Sequence, residues 1–349
     1  MQTLEIVDSI DRIEPSTWNE LAAGRPFADH RWLALTEALL VGHEARYVLL
    51  RQRGRIAAAA VCALGRRLQD PALRCRAGWL LRIAPLLRCE VPIALDCGLL
   101  TRPGADPTPL LAAIGRLAAR ERAMFTRLDH LSDHDERWPA LRRAGYQAVP
   151  MWAETRLTLA YSSFDGYLAA LPSRKRGELN RVRRRAEAEG LSVAPEALSP
   201  ETMTRLRGLV GQVLARHSAL EEYAPDMFDR AAALLGDDMR LLIARRDGEI
   251  VGCAALLRSG GELTAKWLGL DYARTQDTVA YARLLLGCVE GAIQLGAGSL
   301  RLGATAYETK RHFGVVFEER CGAVAARPAL LNRLAGRVLG GRAEPAEAA

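Results

Sequence analysis

The feature that most constrains the fold of this chain is an internal duplication of one α/β unit. Segments 47–64 and 241–257 each predict two alternating strands joined by a glycine-centred turn, and Gly54 corresponds to Gly248. In each copy a helix with apolar spacing and a further strand follow, over 108–131 and 279–305. A loop, a short helical stretch and a glycine complete each copy. Because the same order of elements recurs, two copies of one unit are the simplest account.

The duplication predicts the α/β fold class, with two tandem domains that are each a mixed β-sheet flanked by helices. A chain of 349 residues is too long for one ordinary core and suits two domains. We place the first domain at 1–160 and the second at 161–338. The remaining residues, 339–349, predict a disordered tail.

The composition indicates a soluble protein of a reducing compartment. Hydrophobic residues make up 49% and charged residues 26% of the chain, and no apolar run approaches the roughly 18 residues of a membrane span. The first residues lack the basic-then-apolar order of a secretory signal. The seven cysteines are an odd number without CxxC spacing, which favours free thiols over a disulfide framework. We therefore expect a cytoplasmic protein without membrane insertion.

Positive charge is concentrated in one predicted helix. Between Arg174 and Arg185 stand seven basic residues and one acid, in a chain of net charge +7. Seven such charges cannot share one helix face, and their repulsion costs stability unless an anion lies near. One interpretation is a polyanionic ligand such as a nucleic acid, a coenzyme or a nucleotide-linked substrate, and the other is a solvated, arginine-rich face. The residues that we select for binding are Arg174, Lys175, Arg176, Arg183 and Arg184.

Lysine is rare in this sequence, which contains only Lys175, Lys266 and Lys310. Since arginine is used wherever a surface needs only positive charge, a retained lysine indicates a role that a permanently charged guanidinium cannot fill. Lys310 corresponds in the duplication to Leu141, so the fold itself requires no cation there. The alternatives are chance retention and a lysine at a helix end whose ammonium reaches solvent.

An ammonium at Lys310 suits a reaction that forms an amide. Attack of an amine on an activated ester or thioester builds negative charge on the carbonyl oxygen. An ammonium held about 3 Å from that oxygen lowers the barrier by a few kcal/mol. Lys310 is our candidate for that ammonium.

The order of a hairpin with the turn RDGEIVG, a strand, a helix and another strand resembles the second half of the GNAT acyltransferase fold. Enzymes of that superfamily that use coenzyme A carry a Q/R-x-x-G-x-G/A loop before the helix, where backbone N–H groups hold the pyrophosphate. This chain has GLDYARTQDTVAYARLL (269–285) at that place, with no glycine after the Asp271 turn. The resemblance implies either another mode of coenzyme A binding or another donor.

Two tandem GNAT-like units without that loop resemble the Fem family, the aminoacyl-tRNA-dependent transferases that build peptidoglycan cross-bridges, and its natural-product relatives. The segment 26–39 is similar to the entry helix of the family, and 164–193 is similar to its basic helix. The run Tyr307-x-x-Lys310-x-x-Phe313-Gly314 is similar to the family motif Y-x-F-K-x-x-F-G, with Thr309 in place of the phenylalanine. The resemblance implies an N-acyltransferase whose cleft lies in the second domain, with Lys310 as its catalytic lysine. The chemistry of an ammonium would also suit the leaving 3′-hydroxyl of a tRNA terminus.

The resemblance implies no bound cofactor and an aminoacyl-tRNA as donor cosubstrate. Acyl-CoA or an acyl-carrier-protein thioester is the alternative donor, since a phosphopantetheine arm fits between two splayed strands. The expected partners are tRNA and a small-molecule or peptide amine acceptor, such as a peptidoglycan precursor. A non-enzymatic alternative is a binding module that uses the arginine-rich helix alone to hold a polyanion.

Other polar residues are weaker candidates. Trp267 and Asp271 flank the expected strand-to-helix turn where the donor enters, and together with Phe313 we assign them to donor binding. Tyr307 and Tyr281 suit orientation of the acceptor or relay of a proton. His217, which ends a predicted helix close to glutamates, suits a general base for the acceptor amine.

The segment 129–135 contains His130 and His134 among carboxylates and suggests a divalent metal if it is helical. Its reading as a strand end that breaks into a loop favours a polar rim or helix cap, so we predict no metal. The sequence has no P-loop, no Rossmann fingerprint and no nucleophile set of the Ser-His-Asp or Cys-His kind. Kinase, dehydrogenase and hydrolase functions are therefore disfavoured.

Overall fold

The computed structural model describes residues 2–65, 85–102, 104–197, 199–216, 222–327 and 331–332. Within these ranges the chain divides into two compact units. The first unit comprises 2–152, 222–224, 319–327 and 331–332, and the second comprises 153–216 and 225–318, without the undescribed residue 198. The predicted domain limits of 1–160 and 161–338 stay a prediction, but 319–327 lie in the first unit. The predicted tail at 339–349 lies outside the described residues.

The strands and helices alternate along the chain in the order that the duplication predicts. The strands are β1 (Gln2–Val7), β2 (Glu44–Gln52), β3 (Arg55–Gly65), β4 (Leu86–Val91), β5 (Asp96–Cys97), β6 (Leu99–Thr101), β7 (Phe125–Ser132), β8 (Gln147–Pro150), β9 (Glu154–Thr158), β10 (Leu191–Pro195), β11 (Met239–Arg246), β12 (Glu249–Ser259), β13 (Glu262–Leu270), β14 (Ser299–Gly303), β15 (Val316–Glu318) and β16 (Arg320–Ala326). The helices are α1 (Pro15–Ala22), α2 (His30–Leu39), α3 (Thr108–Arg120), α4 (Trp138–Arg143), α5 (Phe164–Ala170), α6 (Ser173–Ala188), α7 (Pro200–Arg216), α8 (Met227–Leu235), α9 (Tyr272–Thr275), α10 (Ala280–Gln294) and α11 (Tyr307–Arg311).

Two matching hairpins begin the equivalent parts of the units. Arg53 and Gly54 join β2 to β3 with φ of 51° and 81°, and Asp247 and Gly248 join β11 to β12 with φ of 51° and 86°. Two consecutive residues at positive φ form the tight turn whose twist matches that of paired strands. The glycine at the second turn position makes this backbone accessible at low cost, and the two predicted hairpins are confirmed.

In each sheet one strand pairs with neighbours that are distant from it in sequence. The first sheet runs β1-β2-β3-β4-β7-β16-β8, and β5 and β6 pair with β4 and β3 at its side. The second runs β10-β11-β12-β13-β14-β9-β15. β9 thus follows β8 in sequence but pairs between β14 and β15, and β16 follows β15 but pairs between β7 and β8. This exchange explains why the last strand lies in the first unit.

In each sheet the fourth strand and the strand after the central helix pair in parallel for a short distance and then separate. In the second unit the pairing of β13 with β14 covers only Glu262 to Thr264 against Ser299 to Arg301, although β13 continues to Leu270. In the first unit β4 pairs with β7 over Leu86 to Cys89. We call the end of the β13–β14 pairing the strand divergence.

One helix face closes the core of each unit. The helix α3 buries Leu110, Ile114 and Leu117 against the first sheet, at the spacing of one helix face. The helix α10 buries Leu285, Cys288, Val289 and Ala292 in the same way against the second sheet. Full burial of one such leucine stabilises the fold by about 2 kcal/mol.

Among the described residues, no helix has both the length and the apolar character needed to cross a membrane.

Gly98 should tolerate no side chain. A Cβ built there lies 2.5 Å from the Val61 oxygen and 2.7 Å from the Glu90 nitrogen, both backbone atoms that cannot swing away. We expect Gly98→Ala to lower the free energy of unfolding by about 1–3 kcal/mol, measured by urea denaturation. The matched control is Gly115→Ala in α3, where a Cβ meets nothing within 4 Å, so a gain of up to ~1 kcal/mol is expected. Equal effects of the two changes would contradict the packing described here.

Candidate active site

Lys310 lies on α11, the short helix that follows β14, and only 1% of its surface is exposed. Its Nζ donates a hydrogen bond to the carbonyl oxygen of Gly303, 3.2 Å away. The amine therefore does not reach solvent. In the first unit the corresponding position on α4 is Leu141, which is fully buried in the apolar core, so the fold accepts a hydrocarbon side chain there.

The carbonyl that accepts from Lys310 belongs to a glycine in left-handed backbone. Gly303 ends β14 with φ of 79°, and the pairing of β14 with β9 shifts register between Arg301 and Gly303. Such a bulge re-aims backbone groups, and glycine adopts this φ without strain. The hydroxyl of Thr155 donates to the same oxygen at 2.5 Å. Since a carbonyl oxygen has two lone pairs, it accepts both hydrogen bonds.

The charge on Lys310 is disfavoured by its surroundings. Burial lowers the pKa of its ammonium from 10.5 to about 7, while Glu154 raises the pKa and Lys266 lowers it further. The Glu154 carboxylate lies 3.8 Å from the guanidinium of Arg301. No carboxylate of the described residues forms an ion pair with Lys310. The amine is therefore close to half protonated near neutral pH.

Arginines hold the carboxylates on this face of the second sheet. Arg301 lies 2.9 Å from Glu262, and Arg156 pairs with both Glu262 and Glu318, the latter at 2.8 Å. Burial opposes the charge of Glu262, but Arg301 and Arg156 outweigh it and lower the pKa of that carboxyl. Guanidinium groups thus engage the acids on this face. The lysines of this region, Lys266 and Lys310, remain.

Lys266 and Trp267 lie on β13 just past the strand divergence. Lys266 is half-buried and follows the last residue that pairs with β14, Thr264, by two positions. Trp267 has φ of 51° at a register shift between β12 and β13, and its ring packs edge-on against Phe228 with centroids 5.7 Å apart. The predicted place of Trp267 beside the strand-to-helix turn agrees with this geometry. Its role in donor binding stays a prediction.

Asp271 caps the start of α9 and is 8% exposed. Its carboxylate accepts a hydrogen bond from Arg205 at 2.5 Å, and Arg205 also donates to the carbonyl of Ile250 at 3.0 Å. These contacts tie the end of β13 to α7. A structural ion pair therefore accounts for this carboxylate, and its predicted contact with the donor stays a prediction.

The other motif residues hold the helix that carries Lys310. The Tyr307 hydroxyl donates to the carbonyl of Ala153 at 2.8 Å, and its ring packs edge-on against Phe317. Phe313 is 1% exposed, and its carbonyl accepts from the Tyr167 hydroxyl at 2.9 Å. Tyr307 and Phe313 thus anchor α11 at both ends. Tyr307, Lys310 and Phe313 follow one another at intervals of three residues, so the two aromatic residues hold the short segment that positions the amine.

The predicted basic helix is α6, where several basic side chains already have partners in the fold. Arg176 donates to the carbonyls of Ala169 and Leu171, and Arg181 pairs with Glu178. Arg183 lies over the ring of Phe164 at 5.8 Å. Three of the selected residues, Arg174, Arg183 and Arg184, are exposed, and Lys175 and Arg176 are half-buried. The exposed arginines are the ones that are available to a polyanion.

The N-terminus of α10, where the missing pyrophosphate loop would stand, holds a carboxylate of this chain. Glu189 accepts a hydrogen bond from the backbone N–H of Val279 at 3.2 Å. Its other oxygen lies 2.7 Å from Arg185, whose guanidinium also donates to the Asp277 carbonyl. A helix N-terminus attracts one anion. Here that position is taken by Glu189.

The remaining predicted residues divide into three groups. His217 lies outside the described residues. Burial raises the pKa of the Tyr281 hydroxyl well above its ordinary value, which makes it a poor acid near neutral pH. In the first unit His130 lies 3.6 Å from Glu90, whereas His134 is exposed. Across the described ranges, no three His, Cys, Asp or Glu side chains are grouped so that they could hold a metal ion.

Sequence reasoning missed the residues that surround the Lys310 amine. Gly303, Thr155 and Glu154 come from β14 and β9, which the chain order does not connect. Lys266 had a usable signal, because it is one of only three lysines in the sequence. Its place beside Lys310 depends on the pairing of β13 with β14.

Residues 173–311 match the family model described as an acetyltransferase (GNAT) domain. No curated protein matches the chain. The solved structure of FemX has a TM-score of 0.63 at 12% identity, covering 97% of this chain and 100% of that one. The C-terminal DUF2156 domain of a putative lysylphosphatidylglycerol synthetase from Agrobacterium fabrum has 0.59 at 16% identity, covering 94% and 98%. The tandem GNAT protein from the clavulanic acid biosynthesis pathway has 0.57 at 14% identity, covering 93% and 98%.

The second unit is therefore a GNAT domain, and the whole chain has the Fem-like tandem GNAT fold. The protein is a transferase of acyl groups, as the matched domain defines. The predicted resemblance, fold class and enzyme class are confirmed.

Lys310 should make the stability of the fold depend on pH. The unfolded side chain stays protonated up to about pH 10.5, whereas the folded one loses its proton near 7. Unfolding therefore takes up a proton between these values, and the free energy of unfolding rises with pH by up to about 1.4 kcal/mol per unit. Lys310→Met removes this contribution, so its stability advantage over wild type should shrink as pH rises from about 7.5 to about 9.5.

Urea denaturation at several pH values measures this difference. Lys175→Met is the control for the loss of one lysine. A constant difference between Lys310→Met and wild type across the range would contradict the depressed pKa of Lys310.

Proposed function

We propose that the protein forms an amide bond by transferring an aminoacyl group from aminoacyl-tRNA to an amine acceptor. The acceptor class is a peptidoglycan precursor or a natural-product intermediate with a free amine. The proposal extends the acyl-transfer class to a particular donor and acceptor, on the basis of the Fem-like motif and the charges of the second unit.

The observation that carries the proposal is the buried Lys310 amine, fixed by the Gly303 carbonyl beside the strand divergence. In acyl transfer, negative charge develops on the carbonyl oxygen of the ester. A preorganised N–H donor in a site shielded from water stabilises that oxygen by about 3–4 kcal/mol, which corresponds to roughly 100–1000-fold in rate. The Gly303 carbonyl engages one N–H of the amine, and in this proposal a further N–H donates to the carbonyl oxygen of the substrate.

The charges around α10 favour a donor other than coenzyme A bound in the usual way. The Glu189 carboxylate occupies the Val279 N–H at the helix start, and an incoming pyrophosphate would meet it as a like charge. An aminoacyl ester on tRNA requires no pyrophosphate pocket. Its phosphates would instead contact the exposed arginines of α6, among them Arg174 and Arg184.

A thioester is the second candidate donor. It is favoured by one observation, the separation of β13 from β14 after Thr264, which leaves strand edges open to an extended pantetheine arm. Such a donor would use the same Lys310 amine for the carbonyl oxygen. The two candidates therefore differ in what is consumed and agree on the catalytic residue.

A donor panel should identify the acyl carrier. We expect loss of aminoacyl ester from one charged tRNA, in the presence of a mixed amine pool, and a drop of about 100–1000-fold with Lys310→Met. Methionine keeps the length of the chain and removes the amine, and circular dichroism verifies the fold of the variant. A parallel panel of acyl-CoAs measures the second candidate.

If only a thioester is consumed, the donor is a thioester and not aminoacyl-tRNA. Binding of tRNA without any Lys310-dependent turnover would instead favour the polyanion-binding module.

The exposed arginines of α6 should set the salt dependence of tRNA binding. Each lost phosphate contact reduces the slope of log K against log salt by about 0.7–0.9. We expect Arg174→Ala with Arg184→Ala to reduce the slope by about 1.4–1.8 and to weaken binding of every tRNA alike, as measured by filter binding. The matched control, Arg142→Ala with Arg143→Ala, removes two exposed arginines of the first unit. Equal losses in both double variants would argue against α6 as the binding surface.

A further inference from the structure

We propose that Lys310 is the proton-transfer residue of the reaction, taking the proton of the acceptor amine and delivering it to the leaving oxygen. The inference deepens the proposed function and rests on it. It assigns to one side chain both the general base of the reaction and the cation that faces the carbonyl oxygen.

The surroundings of the amine favour its uncharged form. A lysine ammonium has three N–H donors, and the described hydrogen bond of Lys310 goes to the Gly303 carbonyl, which Thr155 already shares. The side chain is 1% exposed and forms no ion pair with a described carboxylate. Burying a charge without a paired partner is costly, so the neutral amine with its free lone pair is stabilised.

Charged groups reach Lys310 from each neighbouring element. Glu154 on β9 favours the ammonium, and Lys266 on β13 disfavours it. On β14, Arg301 is engaged by Glu154 and Glu262. Four titratable groups lie on or just after its own helix. The Tyr307 hydroxyl donates to the Ala153 carbonyl, Glu308 pairs with Arg311, and His312 is half-buried. The resulting pKa of about 7 lets the amine both accept and return a proton near neutral pH.

The reaction balances with Lys310 as its only proton carrier. The acceptor nitrogen attacks the ester carbonyl carbon, a C–N bond forms, and the π electrons move to the oxygen. Nζ takes one proton from the attacking nitrogen and becomes an ammonium next to the new oxyanion, which it stabilises. As the carbonyl re-forms, the C–O bond to the leaving oxygen breaks and that oxygen takes the proton from Nζ. Lys310 ends the cycle neutral, as it began.

The Tyr307 hydroxyl, which belongs to the same motif as Lys310, is not placed for proton transfer. The Tyr307 hydroxyl already donates to the Ala153 carbonyl at 2.8 Å. Tyr281 holds its proton tightly, because burial raises its pKa. Of these three groups, Lys310 is the one whose pKa lies near neutrality.

The first test measures protonation without any substrate. The protein contains three lysines, so 13C,15N-lysine labelling gives three side-chain signals, which Lys→Met variants assign. We expect the Lys310 signal to titrate near pH 7. Lys266→Met should move its midpoint to higher pH and Glu154→Gln to lower pH, because these changes remove a like and an opposite charge. A Lys310 ammonium that stays charged to about pH 9 would overturn the proposal.

The second test uses the donor that the panel identifies and follows kcat/KM against pH. A proton acceptor predicts a rate that rises with pH through about 7, whereas a requirement for the Lys310 ammonium predicts a rate that falls there. Lys266→Met should shift the rising limb to higher pH and Glu154→Gln should shift it to lower pH. A role of these two residues in folding alone would lower the rate without moving the limb.

Lys310→Arg separates the charge from the proton transfer. Arginine keeps the positive charge but cannot release a proton at neutral pH. We expect it to be as inactive as Lys310→Met, and substantial activity in Lys310→Arg would overturn the proposal. If no donor is consumed by wild type, the proposed function fails, whereas a consumed donor with a falling pH limb defeats only the inference about proton transfer.

Discussion

The contact between the Lys310 amine and the Gly303 carbonyl is the interaction on which the rest of the site depends. It requires a bulge at the end of β14, since only a left-handed residue there presents its carbonyl to α11. It also requires that α11 be held firmly, which the Tyr307 and Phe313 contacts achieve. A mobile lysine would bring its charge into water, where an ammonium gains little from a substrate oxygen. Burial converts the same side chain into a strong hydrogen-bond donor with adjustable charge.

The duplicated architecture allows one unit to carry chemistry while the other keeps an ordinary core. In the first unit Leu141 takes the place of Lys310, and Asp129 within β7 takes the place of Gly303 at the end of β14. The leucine removes the amine on which the candidate site depends, although β7 has a left-handed residue, His130, and a register shift at the equivalent place. The asymmetry therefore arises from a few side chains on one repeated framework. The exchange of β9 and β16 between the sheets also gives the second unit the strand that carries Thr155 and Glu154.

A second electrostatic feature, at the start of α10, distinguishes this unit from a GNAT domain that binds coenzyme A there. The Glu189 carboxylate fills the start of α10, and the arginines on the polar face of the second sheet are already matched by acids. The exposed basic residues of the second unit include Arg174, Arg183 and Arg184 on the outer surface of α6.

The sequence alone determined the duplication, the two hairpins, the basic helix and Lys310. These features follow from local patterns: alternation of apolar residues, a glycine at a turn that needs positive φ, and a lysine in a chain whose basic residues are almost all arginine. The tertiary structure decided what surrounds that lysine. Gly303, Thr155, Glu154 and Lys266 are brought together by strand pairings that no local pattern encodes. Burial and neighbouring charges, which set the pKa of Lys310, exist only after these strands have paired, so the chemistry of the amine is a property of the fold.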